Sequence, residues 1–273
     1  MNPSLAIEMV IVISIFSILS HKLKILDIAG TTLAAAIGTI IYSTIGRVGF
    51  IVITVFVVTA GIFTKLGYDR KSRIGAAEPR KGLRGWRNVV GNGLVAASAA
   101  LAYALLPAYS EVLLGCYIGA VAAVFSDTLA TETGLLSKGE PRLIIGFKKV
   151  RAGTPGGVTL VGYLGSLLAP LMLILGYIPV GGVNPLSFQE VAAIVFIAGL
   201  VGTSVDSAVG QLLQGTYRCE VCKKITESKN HCGRPTVLLK GYSLIDNHVV
   251  NLICSLSGAV VGAVVMLAFY NTV

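Results

Sequence analysis

Charge is scarce in this sequence: Asp, Glu, Lys and Arg make up 13% of its 273 residues, where a soluble domain carries roughly a quarter. That shortage excludes a water-facing shell around a core of this size. Aromatics stand at 7%, with a single tryptophan. No basic stripe interleaved with aromatics and no nucleic-acid motif occurs, so the net charge of +9 does not point to a nucleic-acid partner. Walker A and GxGxxG patterns are also missing. The N-terminus has no basic start and no clear small-residue cleavage site, so residues 1–20 read as a retained helix rather than a signal peptide. No low-complexity linker divides the chain, which implies a single membrane domain over 1–273.

The hydrophobic residues, 54% of the total, fall instead into blocks near the ~20 residues that cross a bilayer as a helix. Eight blocks stand out, at about 4–20, 25–45, 48–66, 88–107, 111–131, 156–177, 187–213 and 248–270. The expectation is an all-α, polytopic transmembrane bundle of about eight spans, seven being the alternative. Small residues recur at helical spacing, as in Gly30, Ala34, Gly38 and in Gly258, Gly262. Such stripes let helix backbones approach closely in lipid.

With eight spans, 21 of the 22 Lys and Arg residues fall on one side and only Arg47 on the other. Positive-inside orientation then places both termini outside the membrane. It leaves three cytoplasmic loops, 67–88, 132–155 and 214–247, as the functional surface. The protein is expected in a membrane, the cell membrane in a prokaryote, with its site on the cytoplasmic face. A faint echo links Ser126-Asp127-Thr128 to Val205-Asp206-Ser207, either a parallel repeat or a chance match between small-residue helices.

Acidic groups inside hydrophobic spans are the first chemical signal. Asp127 and Glu132 lie at the end of the fifth span and Asp206 within the seventh; carboxylates at that depth are costly and face a cavity, a cation or a partner charge. Hard oxygens of this kind suit Mg²⁺, against the plainer reading of ion pairs that hold helices together. On a continuous helix Asp127 and Glu132 stand about 140° apart, so a shared ion requires unwinding near 131–134. A second signal runs from Lys148 through Arg151, Thr154, Gly156 and Gly157 to Thr159. Glycines before a helix expose backbone N–H groups to an anion; the alternative is an ordinary loop with Pro155 in the first helical turn. Basic residues Lys81, Arg84 and Arg87, ahead of Asn92, suit either phosphates or lipid headgroups. Asp246 and Asn247 open the last span, with Asn251 one turn further; capping is the rival role for the first two. Cys219, Cys222, His231 and Cys232, in a loop expected to be reducing, form a candidate structural Zn²⁺ set over 219–232, with free thiols as the alternative.

Taken together, Lys81-Gly82-Leu83-Arg84-Gly85 with Asn92, Ser126-Asp127-Thr128 with Glu132 and Gly134, Phe147-Lys148 through Gly157-Val158-Thr159, Asp206-Ser207, and Asp246-Asn247 with Asn251 resemble the integral membrane phytyl-phosphate kinases. The resemblance spans residues of about 65 to 255. It implies transfer of the γ-phosphate of a nucleoside triphosphate, CTP first among them, to a prenyl monophosphate. It further implies Mg²⁺ on Asp127, Glu132 and Asp206, with Lys81, Arg84, Lys148 and Arg151 on phosphates. The cysteine insertion has no counterpart in the plant enzymes. Rival readings are a cytidylyltransferase that forms CDP-lipid, a transporter using Asp127 and Asp206, and a lipid-binding scaffold.

Overall fold

The computed structural model describes residues 3–177 and 186–270. The expected short, uncharged loop between the sixth and seventh spans falls largely on 178–185 and lies outside the described residues. Apolar segments become helices α1 (Pro3–Lys22), α2 (Ile28–Thr44), α3 (Arg47–Lys65), α6 (Trp86–Leu105), α7 (Ser110–Gly134), α8 (Leu160–Ser166), α9 (Leu168–Tyr177), α10 (Phe188–Leu212) and α11 (Asn247–Tyr270). Among the described residues, seven are long and apolar enough to cross a membrane, counting α8 and α9 as one span, and α2 is a shorter apolar helix of 17 residues. The protein is an all-α integral membrane bundle. Short elements α4 (Tyr68–Arg73) and α5 (Pro79–Gly82) lie in the first basic loop.

Local chemistry sets the helix ends. Asp27 caps α2 by accepting from Gly30 N at 2.8 Å. Thr159 caps α8 through Gly162 N at 3.0 Å. Ser187 and Glu190 form a reciprocal capping box on α10. The break between α8 and α9 precedes Pro170, which has no N–H to donate back toward Ser166.

Helix α7 is the axis of the bundle, packed on α11, α10, α6, α8 and α3. Its Gly115 and Gly119 meet Gly258 and Gly262 of α11 back to back. A Cβ on Gly119 would stand 2.2 Å from the Gly258 carbonyl oxygen, and one on Gly262 would stand 2.0 Å from that of Gly115. On the adjoining face, a Cβ on Gly202 of α10 would reach 2.4 Å from that of Ala123. Asp127 and Asp206 follow these two residues by four positions each. One further turn along parallel helices therefore carries both carboxylates to the same place.

The three basic loops gather at one end of the bundle. Arg70 donates to the Ser137 carbonyl at 2.8 Å, Gly67 abuts Leu136, and Gly153 abuts Ala76. At the opposite end Arg47 is bound to Glu8 at 2.5 Å, which also accepts from Tyr42 at 2.6 Å. Not anticipated from sequence is a four-stranded antiparallel sheet in the third loop. It is built from β3 (Thr216–Cys219), β4 (Ile225–Thr226), β5 (Asn230–His231) and β6 (Arg234–Lys240), in the order β4-β3-β6-β5. A smaller pair joins β1 (Arg142–Leu143) to β2 (Gly157–Val158).

Because the α7–α11 contact is backbone against backbone, Gly119→Ala or Gly262→Ala should destabilise the bundle by about 1–3 kcal/mol. Val260→Ala, at an exposed position on α11, should be near neutral. Thermal unfolding in detergent compares them, and equal melting temperatures for all three would refute this packing.

Candidate functional site

The glycine-rich segment 152–159 closes over the ends of α7 and α10. Ile144 N bonds the Gly156 carbonyl at 3.0 Å. Gln211 of α10 grips the turn after β1 like a backbone unit: Ile145 N donates to its Oε1 at 2.9 Å, and its Nε2 donates to the Ile145 carbonyl at 2.9 Å. Gly156 has a φ of +76°, and a Cβ there would lie 2.4 Å from that of Gln211. Glycine is required at this position both by backbone conformation and by space.

Beneath this strap lies a polar cavity of about 150 Å³. Asp127 enters it from α7 and Asp206 from α10, with Thr203, Asn247 and Glu227 around them. The carboxylates sit about 10 Å inside the helix ends at 1.5 Å per residue. Among the described residues, Asp206 Oδ2 is buried without a hydrogen-bond partner, as is the Thr203 hydroxyl. Backbone of Thr154, Gly156 and Gly157 completes the wall. Carboxylate oxygens beside a glycine-rich backbone are a donor set that could hold a cation paired with an anion.

Glu227 comes from the sheet of the third loop. Much of its side chain is exposed, yet its carboxyl end faces the cavity. Loss of water there, with Glu78 and Asp246 adding repulsion, pushes its pKa up to about 7. Sequence reasoning missed it, since a lone glutamate among exposed loop residues carries no local signal.

Glu132 does not join this cavity. α7 continues unbroken to Gly134, so the helix never unwinds and the carboxylate points away from Asp127. It is buried, paired with Lys71 Nζ at 2.6 Å, and it accepts from Thr64 Oγ1 at 2.6 Å. The Arg84 guanidinium stands 3.8 Å away. The expectation that Glu132 shares an ion with Asp127 is therefore corrected. Lys71 was also missed: its side chain is 1% exposed, although in sequence it looks like any other member of a basic run.

Arg84 is held by backbone. Asp27 N donates to the Arg84 carbonyl at 2.9 Å, and Arg84 N donates to that of Ile25 at 3.0 Å. Its guanidinium donates to Thr64 Oγ1 at 3.0 Å and lies within electrostatic reach of Asp127. It also borders a second cavity, a narrow apolar one of about 60 Å³ between α1, α2, α3 and α6. Phe16, Phe50 and Phe56 line that cavity, with Asn88 and Asn92 beside Arg84. Arg84 thus lines the apolar slot while its charge reaches the acidic site.

Other expected residues lie elsewhere. Lys81 is exposed with left-handed backbone. Lys148 and Arg151 are exposed on the loop and do not line the cavity. Arg87 pairs with Asp246 at 2.5 Å. Asp246 caps α11 by accepting from His248 and Val249 amides. Asn251 donates to Asn92 at 3.0 Å, tying α11 to α6. Thr159 lines the cavity, but its oxygen is occupied as a helix cap. Pro155 precedes α8 by several residues and is not in its first turn. Cys219, Cys222, His231 and Cys232 are brought together, with four donor atoms within 4.8 Å of one another.

Removing one partner of the buried Lys71–Glu132 pair leaves an uncompensated charge, a loss of about 3–5 kcal/mol. Lys71→Met should therefore lower the melting temperature sharply, and Lys71→Met with Glu132→Gln should recover most of it. A double variant no more stable than the single one would argue against this pairing.

The family described as integral membrane protein DUF92 matches residues 11–259. Protein PGR of Arabidopsis thaliana is 30% identical over 264 residues, 89% of this chain and 90% of the relative. Protein VTE6, chloroplastic, of the same plant is 26% identical over 257 residues, 92% and 69% of the two chains. A membrane protein of Methanocaldococcus jannaschii is 26% identical over 259 residues, 94% and 92%. No solved structure matches. With that match covering nearly the whole bundle, loops and both cavities included, the chain belongs to the DUF92 family of integral membrane proteins.

Proposed function

We propose that this protein is a membrane phosphotransferase that moves the γ-phosphate of a nucleoside triphosphate, with CTP the first candidate, onto a prenyl monophosphate at the cytoplasmic face. The bond from the β-phosphate to the γ-phosphorus breaks, a phosphate oxygen of the lipid takes the phosphoryl group, and prenyl diphosphate and nucleoside diphosphate leave. The observation that carries this reading is that Asp127 and Asp206 share a cavity roofed by the glycine-rich segment, while Arg84 lines an apolar slot and lies within electrostatic reach of Asp127.

Phosphoryl transfer asks a protein for positioning and charge neutralisation more than for covalent chemistry. Backbone near Gly156 would receive the donor phosphates. The isoprenoid tail would occupy the slot beside Phe16 and Phe50, its phosphate directed to Arg84 and Asn88. Because the acceptor is already an anionic phosphate, no strong general base is needed. Asp127 and Asp206 fit Mg²⁺, since both offer hard oxygens and Asp206 Oδ2 has no protein partner. Bound there, Mg²⁺ would neutralise charge on the transferred group. The resemblance to the phytyl-phosphate kinases, together with the similarity to the relatives named above, supports the same substrate class.

Purified protein in lipid, given CTP labelled in the γ-phosphate and geranylgeranyl monophosphate, should place label in the lipid. Asp127→Asn and Asp206→Asn should each lower turnover by about 10²-fold or more while remaining folded. Label released as pyrophosphate would indicate nucleotidyl transfer instead. Full rates in both variants would remove this cavity from the chemistry.

A further inference from the structure

The sheet of the third loop buries little apolar surface of its own. Strands β4 and β5 are two residues long, and β6 is largely exposed. Of the sheet's side chains, Tyr217 and Cys219 are buried. Short hairpins without an apolar face are marginal in water, and small units of this kind need a staple.

Two turns at one end of the sheet carry the candidates for one. The first closes the β3–β4 hairpin: Lys223 N donates to the Cys219 carbonyl at 3.0 Å, and Cys219 N donates to that of Lys224 at 3.0 Å. Cys219 and Cys222 flank this turn. The second is the two-residue Cys232–Gly233 link between β5 and β6, with φ of +54° and +73°, the geometry of a type I′ turn. Left-handed backbone is unfavourable for a cysteine by about 1–2 kcal/mol. Asparagine or glycine would serve the turn better, so something beyond turn formation accounts for Cys232. Its Sγ lies 3.2 Å from His231 Nδ1, which is in turn 3.5 Å from Cys222 Sγ. Cys219 Sγ is 3.7 Å from the His231 carbonyl oxygen. Donors around a tetrahedral zinc at 2.0–2.3 Å stand about 3.3–3.8 Å apart, close to this spacing.

We propose that Cys219, Cys222, His231 (through Nδ1) and Cys232 bind one zinc ion, and that this staple holds Glu227 over the polar cavity. The link from β4 to β5 runs over residues 227–229 and is held to β6, since Thr236 N donates to the Lys229 carbonyl and Thr236 Oγ1 to that of Ser228, with Thr236 itself paired to Cys219. It is there that Glu227 meets Asp206, Asn247 and Gln214 along the cavity wall. On binding, the thiols give up their protons to solvent and the imidazole binds neutral. The zinc site stands on its own geometry, whereas the consequence for catalysis rests on the phosphotransfer reading.

Metal analysis of the full-length protein purified in detergent should find about one zinc per chain, falling at least about fivefold in Cys222→Ser with Cys232→Ser. Cys116→Ser, in α7, should leave it unchanged. Zinc removal should also open Lys223, Lys224 and Lys229 to trypsin. It should weaken Mg–CTP binding severalfold, and Glu227→Gln should weaken it in the same direction. Wild-type protein without zinc, or a double serine variant that keeps it, would overturn the site, whatever the labelled-CTP assay finds. Full zinc loss with no change in protease sensitivity or nucleotide binding would overturn its hold on Glu227 and leave phosphotransfer standing.

Discussion

Close backbone approach along α7 is the constraint on which the rest depends. Gly115 and Gly119 against α11, and Ala123 against both Gly258 of α11 and Gly202 of α10, let the three helices come closer than larger side chains would allow. Lipid offers no hydrophobic drive between helices, so association relies on dispersion contacts that weaken steeply with distance. The same closeness has a chemical result. Asp127 and Asp206 follow Ala123 and Gly202 by one helical turn, so the packing that stabilises the bundle also sets the acidic pair in one cavity.

Helix α7 carries acids on two faces, and their surroundings differ. Glu132 is neutralised by Lys71 and approached by Arg84, and it takes a hydroxyl hydrogen bond from Thr64. Such a buried cluster ties the first basic loop to the end of α7. Among the described residues, Asp127 and Asp206 form no comparable ion pair, and one oxygen of Asp206 is buried without a hydrogen-bond partner. A pair of acids kept together without compensation inside a membrane protein is costly. That cost is understandable where a cation and its ligand complete the site. Arg84 belongs to both systems, bonded to Thr64 beside Glu132 and within reach of Asp127.

The three loops on the charged side also divide their tasks. The first supplies Arg84 and Lys71 by pinning its backbone to residues 25–27. The second supplies the glycine roof, fastened through Gln211 to α10. The third contributes a small sheet, and with it Glu227. Arg87 and Asp246 link the first loop to the start of α11, so the loops form one surface rather than three independent segments.

The sequence by itself determined the membrane class, the positions of the apolar helices and the clustering of basic loops, and it singled out Asp127, Asp206 and the glycine segment, which the fold brings to one cavity. These are local signals: hydropathy over about twenty residues, charge between blocks, and glycine where backbone must turn or approach. Tertiary structure alone decided which acids meet. The 140° between Asp127 and Glu132 was readable, but whether the helix would unwind was not, and neither was Lys71 as partner. Lys81, Lys148 and Arg151 look as suitable as Arg84 in a linear reading, yet only Arg84 is held inward. Glu227 reaches the cavity through a sheet whose two-residue strands are too short to leave a periodic trace. Pairing between distant segments is fixed by packing and register, and no single stretch of chain encodes either.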